Sequence, residues 1–140
     1  MLLSVSAAIL AFAAGGASAS ADPGLGTWIN PKGTVVVRTA RCGDAICGRV
    51  IKASREAQDK ARAAGTTRLV GTQILTGFRA VGAGRWQGEA FVPDMGVTVT
   101  ATMVQLGRDT LEIEGCSFGG YLCRKQVWRR TPAGKGRRRG

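Results

Sequence analysis

Residues 85–105, RWQGEAFVPDMGVTVTATMVQ, contain two runs of alternating apolar and polar residues on either side of a turn. Alternation with period two, in runs rich in β-branched and aromatic residues, is typical of half-buried strands. The intervening Pro93-Asp94-Met95-Gly96 has proline near its first corner and glycine at its end, as in a β-turn. The stretch therefore predicts an antiparallel hairpin with one face in a core.

The same alternation extends along most of the chain. It predicts strands at residues 26–30, 34–41, 48–53, 69–71, 74–80, 85–92, 97–105, 110–114 and 121–129. Their connectors are glycine-rich and mostly of hairpin length. About eight short strands joined in this way predict an all-β fold, an antiparallel meander closed into a barrel.

One segment, SREAQDKARAAG at residues 54–65, has a different composition. Ser54 can cap a helix, alanines and long polar residues fill the interior, and Gly65 can end it. The segment predicts one short helix on the surface or across a barrel mouth. A polar loop is an equally good interpretation, because short isolated helices are marginal in water.

The two ends of the chain differ from the middle. Residues 1–21 are uncharged and apolar and end in small residues, which predicts a secretory signal peptide and a periplasmic or secreted protein. No later segment approaches the roughly 18 consecutive apolar residues of a membrane span. Residues 22–132 are expected to form one domain. Residues 133–140 form a predicted disordered basic tail, in which the candidates for polyanion binding are Lys135, Arg137, Arg138 and Arg139.

Four cysteines in an exported protein of this size indicate disulfides. Of the three possible pairings, the local one, Cys42 with Cys47 and Cys116 with Cys123, fits best because each pair brackets a predicted hairpin turn. The spacings differ from those of a thioredoxin-type redox pair and of a zinc site with two close pairs. We therefore expect disulfides and no metal.

The inventory of catalytic residues is small. The chain contains no histidine, which excludes Ser-His-Asp and Cys-His systems, and it has nine carboxylates. Glu112 and Glu114 lie on one strand face and could in principle form an acid/base pair, but a solvated strand face is much the better explanation, and Asp94 stands alone on a turn. We expect no enzyme and no cofactor.

Gly26-Thr27-Trp28 near the start and Trp128-Arg129-Arg130 near the end resemble the arrangement found in lipocalins and avidins. In those barrels an early tryptophan plugs one end and a late basic side chain packs across it. The resemblance implies that Trp28, Trp128 and Arg129 close the barrel, with a cation–π contact of about 0.5 to 2 kcal/mol.

Six segments in order resemble the bacterial family with domain of unknown function 2147. They are GTW at 26–28, the hairpin at 42–50, LVGTQIL at 69–75, GRWQGEAFVPDMG at 84–96, DTLEIEGC at 109–116 and QVWRR at 126–130. The resemblance implies a small exported barrel but supplies no activity. Arg62 stands where relatives carry asparagine, and Phe91 and Val97 replace tyrosines, which puts a shared polar site in question here.

Three functional hypotheses follow. The first is a non-enzymatic barrel that binds a small, partly apolar ligand, with lining candidates Trp28, Phe78, Trp86, Phe91 and Met103, all of which would also serve as ordinary core residues. The second is an interaction with an envelope protein through a mouth shaped by both stapled hairpins, with Phe118 and Tyr121 exposed. The third is binding of an anionic polymer through the tail. Specific nucleic-acid recognition is not expected, because Trp128 is the one aromatic residue close to the basic run.

Overall fold

The computed structural model describes residues 22–120 and 122–132, except for the Phe118 side chain. In this part of the chain, eight antiparallel strands form a closed barrel in sequence order, and β8 pairs with β1. The strands are β1 Gly26–Ile29, β2 Val35–Cys42, β3 Ala45–Ala53, β4 Gln73–Gly82, β5 Arg85–Val92, β6 Val97–Gly107, β7 Thr110–Ser117 and β8 Leu122–Arg130. The predicted meander barrel is confirmed. The predicted signal peptide, tail and Tyr121 lie outside the described residues.

One helix, α1 Arg55–Ala63, confirms the helical interpretation of residues 54–65. The Ser54 side chain accepts a hydrogen bond from the Ala57 amide at 3.1 Å, which satisfies a donor that the first helical turn leaves free. Gly65, with φ of +101°, follows the last turn, where an L side chain would be strained. Ala61 is buried against the barrel core. The helix therefore packs against the core through its small residues Ala57 and Ala61.

The prediction of a strand at residues 69–71 is wrong. The Thr72 amide donates to the Leu69 carbonyl at 3.0 Å, and Gly71 adopts φ of +98°, so the chain turns here. The Gly71 amide donates to Val50 on β3, and the Leu69 side chain is buried in the core. Leu69, which helped to suggest a strand, instead anchors the loop between α1 and β4, whereas Val70 is exposed.

Both local disulfides, Cys42–Cys47 and Cys116–Cys123, are present. Cys116 lies directly opposite Cys123 in the β7–β8 register, whereas Cys42 and Cys47 lie diagonally across the β2–β3 hairpin. The two bridges occupy opposite ends of the barrel, because β2 and β7 run in opposite directions. The expectation that both hairpins shape one mouth is therefore wrong.

Side chains fill the barrel interior. The largest fully buried ones are Trp28, Phe78, Leu75, Met103, Leu111, Val37 and Val50. On β6, the buried Ala101 and Met103 alternate with Thr100 and Thr102, which lie toward solvent. This is the pleat of a strand with one face in the core, as the alternation predicted.

One end of the barrel is closed by the segment that precedes β1. Trp28 is completely buried, and its Nε1 donates to Thr39 Oγ1 at 3.0 Å. The Thr39 hydroxyl in turn donates to the Gly24 carbonyl at 2.5 Å, and the Gly24 amide donates to Gln105 Oε1 at 2.7 Å. The polar groups at this closed end are thus hydrogen-bonded to one another, so their burial leaves these donors and acceptors satisfied.

The basic side chain that packs on Trp28 is Arg130, not the predicted Arg129. The Arg130 guanidinium lies 4.3 Å from the ring centroid, and its Nη1 donates to the Leu25 carbonyl at 2.9 Å. Arg129 is exposed, because alternation from the buried Trp128 places residue 129 on the outer face. Gly26 is needed beside this contact, since a Cβ there would collide with the Arg130 guanidinium.

Replacing Arg130 with alanine should lower the free energy of unfolding by about 2 kcal/mol, because a cation–π contact and charge-assisted hydrogen bonds are lost. Arg129→Ala is the matched control and should cost less than about 0.5 kcal/mol, as exposed substitutions usually do. Urea unfolding of both variants measures the difference. Equal costs would contradict the assignment of Arg130 as the closing residue.

Candidate functional site

The end of the barrel opposite Trp28, which we call the mouth, carries the β1–β2, β5–β6 and β7–β8 connections and α1. The Ser54 amide donates to the Thr34 carbonyl in the β1–β2 turn at 2.8 Å, which ties the start of α1 to one side of the mouth. At the other end of α1, a Cβ on Gly96 would come within 2.8 Å of the Ala64 carbonyl. The helix therefore crosses the mouth from the β1–β2 turn to the β5–β6 turn.

The mouth stays open beside β8. Strand β1 ends at Ile29, and its pairing with β8 is limited to Trp28 with Arg130 and Ile29 with Arg129. Within the described residues, the segment of β8 from Leu122 to Val127 pairs with β7 alone. All six side chains of that segment are exposed. The barrel wall is thus incomplete on this side, and the inner face of β7 and β8 can be reached from solvent.

Two polar residues of β8 lie on that inner face. The register pairs Gln126 with Ile113 and Arg124 with Gly115, in phase with the buried pair of Trp128 and Leu111. The Trp128 Nε1 donates to Gln126 Oε1 at 2.9 Å, which keeps both side chains on one face. Sequence reasoning missed Arg124 and Gln126. Gln126 lies two residues and Arg124 four residues before Trp128, and this spacing places all three on the same face of the strand.

Apolar residues form the floor beneath these two polar groups. Ile113 and Trp128 are buried, and Val99 packs against the same core. Gly115 leaves room for Val99, because a Cβ at that position would lie 2.9 Å from Val99 Cγ2. We call Val99, Ile113, Arg124, Gln126 and Trp128 the mouth site. It combines an apolar floor with two polar side chains at its rim.

The Arg124 guanidinium makes a weak polar contact within the described residues. Its described contact is with Met95 Sδ in the β5–β6 turn, 3.9 Å from Nη1, and the ion pairs among residues 22–120 and 122–132 do not include it. A thioether is a weak acceptor, so the planar fork of donors is available to a carboxylate or phosphate. Because Arg124 reaches across the mouth toward Met95, an anion held there would sit above the apolar floor.

The predicted lining residues lie at different heights in the barrel. Trp28, Phe78, Trp86 and Met103 are buried in the core, and Phe91 is half-buried against it. Trp28 belongs to the closed end, whereas Met103 lies opposite Ile113 in the β6–β7 register and Phe91 lies near the β5–β6 turn at the mouth. A ligand-contacting role for the five stays a prediction, whereas the open inner face lies on β7 and β8.

The carboxylates singled out in the sequence lie outside the barrel. Glu112 pairs with Lys125 across the strands at 3.9 Å, and Asp94 is exposed on its turn. Glu114, Cys116 and Cys123 bring possible metal-ligand atoms within 4.8 Å of one another. The two sulfurs are joined to each other, so this group offers one carboxylate and no thiolate, which does not suit zinc.

Two surface depressions accompany the mouth. The larger, of about 540 Å³, runs along the outer face of β5–β7, where the threonines of β6 meet Gln87 and Glu114. The smaller, of about 370 Å³, lies on the solvent side of α1. There, Arg62 pairs with Asp59 at 3.0 Å, so this arginine forms an ion pair within the helix. The smaller depression is lined by polar side chains, whereas the larger one also includes Val99 of the mouth site.

A family model described as "uncharacterized protein conserved in bacteria (DUF2147)" matches residues 26–130, which span all eight strands and the mouth site. The chain belongs to this family. A solved structure with a similar fold is protein HP1028 from the human pathogen Helicobacter pylori, described as belonging to the lipocalin family. The two share 16% sequence identity over 78% of this chain and 83% of that chain, with a TM-score of 0.60.

None of the curated proteins compared matches this DUF2147 chain significantly. The structural likeness establishes a lipocalin-like barrel and nothing of its ligand. Across the described residues, α1 is too short and polar to span a membrane, and no other helix there meets that requirement.

Proposed function

We propose that this DUF2147 protein binds a small, partly apolar ligand with an acidic group in the mouth site. One observation carries the proposal: Arg124 and Gln126 lie on the inner face of β8 yet remain exposed above an apolar floor. Ligand sites of this kind combine apolar walls with few polar groups that fix orientation. Arg124 would bind the acidic group through paired hydrogen bonds, and Ile113 with Trp128 would pack against the apolar part.

Binding, rather than catalysis, is the proposed activity. The chain has no histidine, and the carboxylates of β7 point away from the barrel interior, one of them toward Lys125. These features supply no group for proton transfer to a ligand in the mouth site. The two disulfides support a periplasmic or secreted location, where such bonds persist.

Dodecanoate is a suitable probe because it joins a carboxylate to a flexible apolar chain. We expect Arg124→Ala to raise the dissociation constant for dodecanoate at least about 10-fold, since hydrogen bonds to charged groups contribute about 1.5 to 3 kcal/mol. Lys125→Ala is the matched control, because it removes the same charge from the outer face one residue away. Isothermal titration calorimetry on protein purified from a bacterial periplasm measures both.

The uncharged analogue dodecanol separates the role of charge from that of apolar contact. Its affinity should be the same for the unchanged protein and the Arg124 variant. Equal losses of dodecanoate affinity in both arginine and lysine variants would contradict the site. So would a native mass spectrum in which the unchanged protein retains no dodecanoate.

A further inference from the structure

Charge is distributed unevenly around the barrel wall. Strands β1 to β4 carry Arg38, Arg41, Arg49, Lys52 and Arg79 and no acidic residue, whereas β5 to β7 carry three glutamates and one arginine. The formal net charge of the chain is +11, so some excess of cations is expected everywhere. Because these four adjacent strands carry no acidic residue, one side of the barrel is predominantly basic, although Asp22 pairs with Arg41 and Asp44 lies in the β2–β3 turn.

Two arginines face each other on that side. Arg38 on β2 lies directly opposite Arg49 on β3, and both are exposed on the outer face. Like charges in this arrangement destabilise a sheet. Arg49 is also held in place, since its Nη1 donates to the Gly71 carbonyl at 2.8 Å and its Nη2 to Gln73 Oε1 at 3.3 Å. The fold thus places two like charges opposite each other and holds one of them, Arg49, in position.

Lys52 and Arg129 extend this cluster on the neighbouring row. The register runs from Arg129 through Ile29 and Val36 to Lys52, so the two cations lie three strands apart, or about 14 Å. Ion pairs in the described part of the chain involve none of these cations. We call Arg38, Arg49, Lys52 and Arg129 the basic face. Four exposed cations within one patch concentrate positive potential on one wall.

We propose that the basic face binds a linear acidic polysaccharide, independently of the mouth site. Charge complementarity supports an anionic occupant, because an anion between Arg38 and Arg49 removes their mutual repulsion. No aromatic residue belongs to the outer rows of this face, so bases have nothing to stack on and a bilayer has no aromatic anchor there. A flexible chain of sulfate or carboxylate groups matches cations that follow a curved wall.

Heparin, a sulfated polysaccharide, is the probe. The triple variant Arg38→Gln, Lys52→Gln and Arg129→Gln leaves the Arg49 hydrogen bonds intact and should bind heparin at least about 10-fold more weakly at 0.15 M salt. The slope of log affinity against log salt should fall by about 2 units, since each lost contact accounts for roughly 0.7 to 0.9 in nucleic-acid polyanions. The control variant carries Arg68→Gln, Arg85→Gln and Arg108→Gln, which removes the same charge elsewhere.

Each outcome decides a different point. An unchanged salt slope in the face variant, or an equal loss in the control, would overturn the basic face as the site. If deletion of residues 133–140 abolished heparin binding while the face variant bound normally, the tail would be the binding element instead. Binding to phosphatidylglycerol vesicles or single-stranded DNA, but not to heparin, would overturn the polysaccharide as occupant. Dodecanoate affinity should be unchanged in the face variant, which separates this proposal from the mouth site.

Discussion

Replacing Trp28 with alanine is expected to lower the free energy of unfolding by about 3 to 5 kcal/mol. The ring is completely buried at the closed end, and its removal leaves a large cavity beneath Arg130. It also removes the indole donor that reaches Thr39. Because small domains are stable by only about 5 to 15 kcal/mol, a large share of total stability is at risk. Urea unfolding followed by circular dichroism measures the change.

Trp28→Phe separates packing from hydrogen bonding at the same position. Phenylalanine keeps an aromatic ring under the Arg130 guanidinium but has no donor for Thr39 Oγ1, so its cost should be intermediate, about 1.5 to 3 kcal/mol. A loss below about 1 kcal/mol in the alanine variant would show that the closed end does not depend on this ring.

Gly88→Ala should cost about 3 kcal/mol although it adds a single methyl group. A Cβ at Gly88 would lie 2.7 Å from the Thr76 carbonyl oxygen and 2.9 Å from that of Gly77. It would also lie 2.8 Å from Phe78 Cδ1. The pairing of β4 with β5 is irregular at this point, so the obstacle is backbone as well as a core ring. Overpacking against groups that cannot rotate away is costly.

The matched control is Gly107→Ala, at the end of β6. Its added Cβ has open space around it, so the substitution should be neutral or stabilise by up to about 1 kcal/mol through the unfolded state. Thermal unfolding of the two variants compares the same chemical change in two environments. Similar melting temperatures would contradict the close approach of β4 to Gly88.

The barrel could be predicted from the sequence because alternation and turn residues are visible within each short segment of the chain. The hairpin in residues 85–105 appears as β5 and β6, starting at the predicted residues Arg85 and Val97. The prediction at residues 69–71 was wrong because a short run such as Leu-Val-Gly occurs both in strands and in loops that bury a side chain in a core. The hydrogen bond from the Thr72 amide to the Leu69 carbonyl and the positive φ of Gly71 show that the chain turns here.

The sites required more than local pattern. Alternation from Trp128 assigns Arg130 and Arg124 to the inner face, so the choice of Arg129 as closing residue followed the family likeness where the strand period was the better guide. The exposure of Arg124 depends on the short length of β1 and on the position at which α1 crosses the mouth. Neither can be inferred from a single segment of the sequence. The Arg38–Arg49 pair likewise exists only through the β2–β3 register.

The first and last strands meet at the closed end of the barrel, and this places both ends of the described chain away from the mouth. The Thr131 amide donates to the Thr27 carbonyl at 2.9 Å, and Asp22 pairs with Arg41 at the same end. Asp22 and Pro132, the first and last of the described residues, therefore lie at the end opposite the mouth. A surface or partner attached at Asp22 or Pro132 would therefore lie at the pole of the barrel opposite Arg124 and its neighbours.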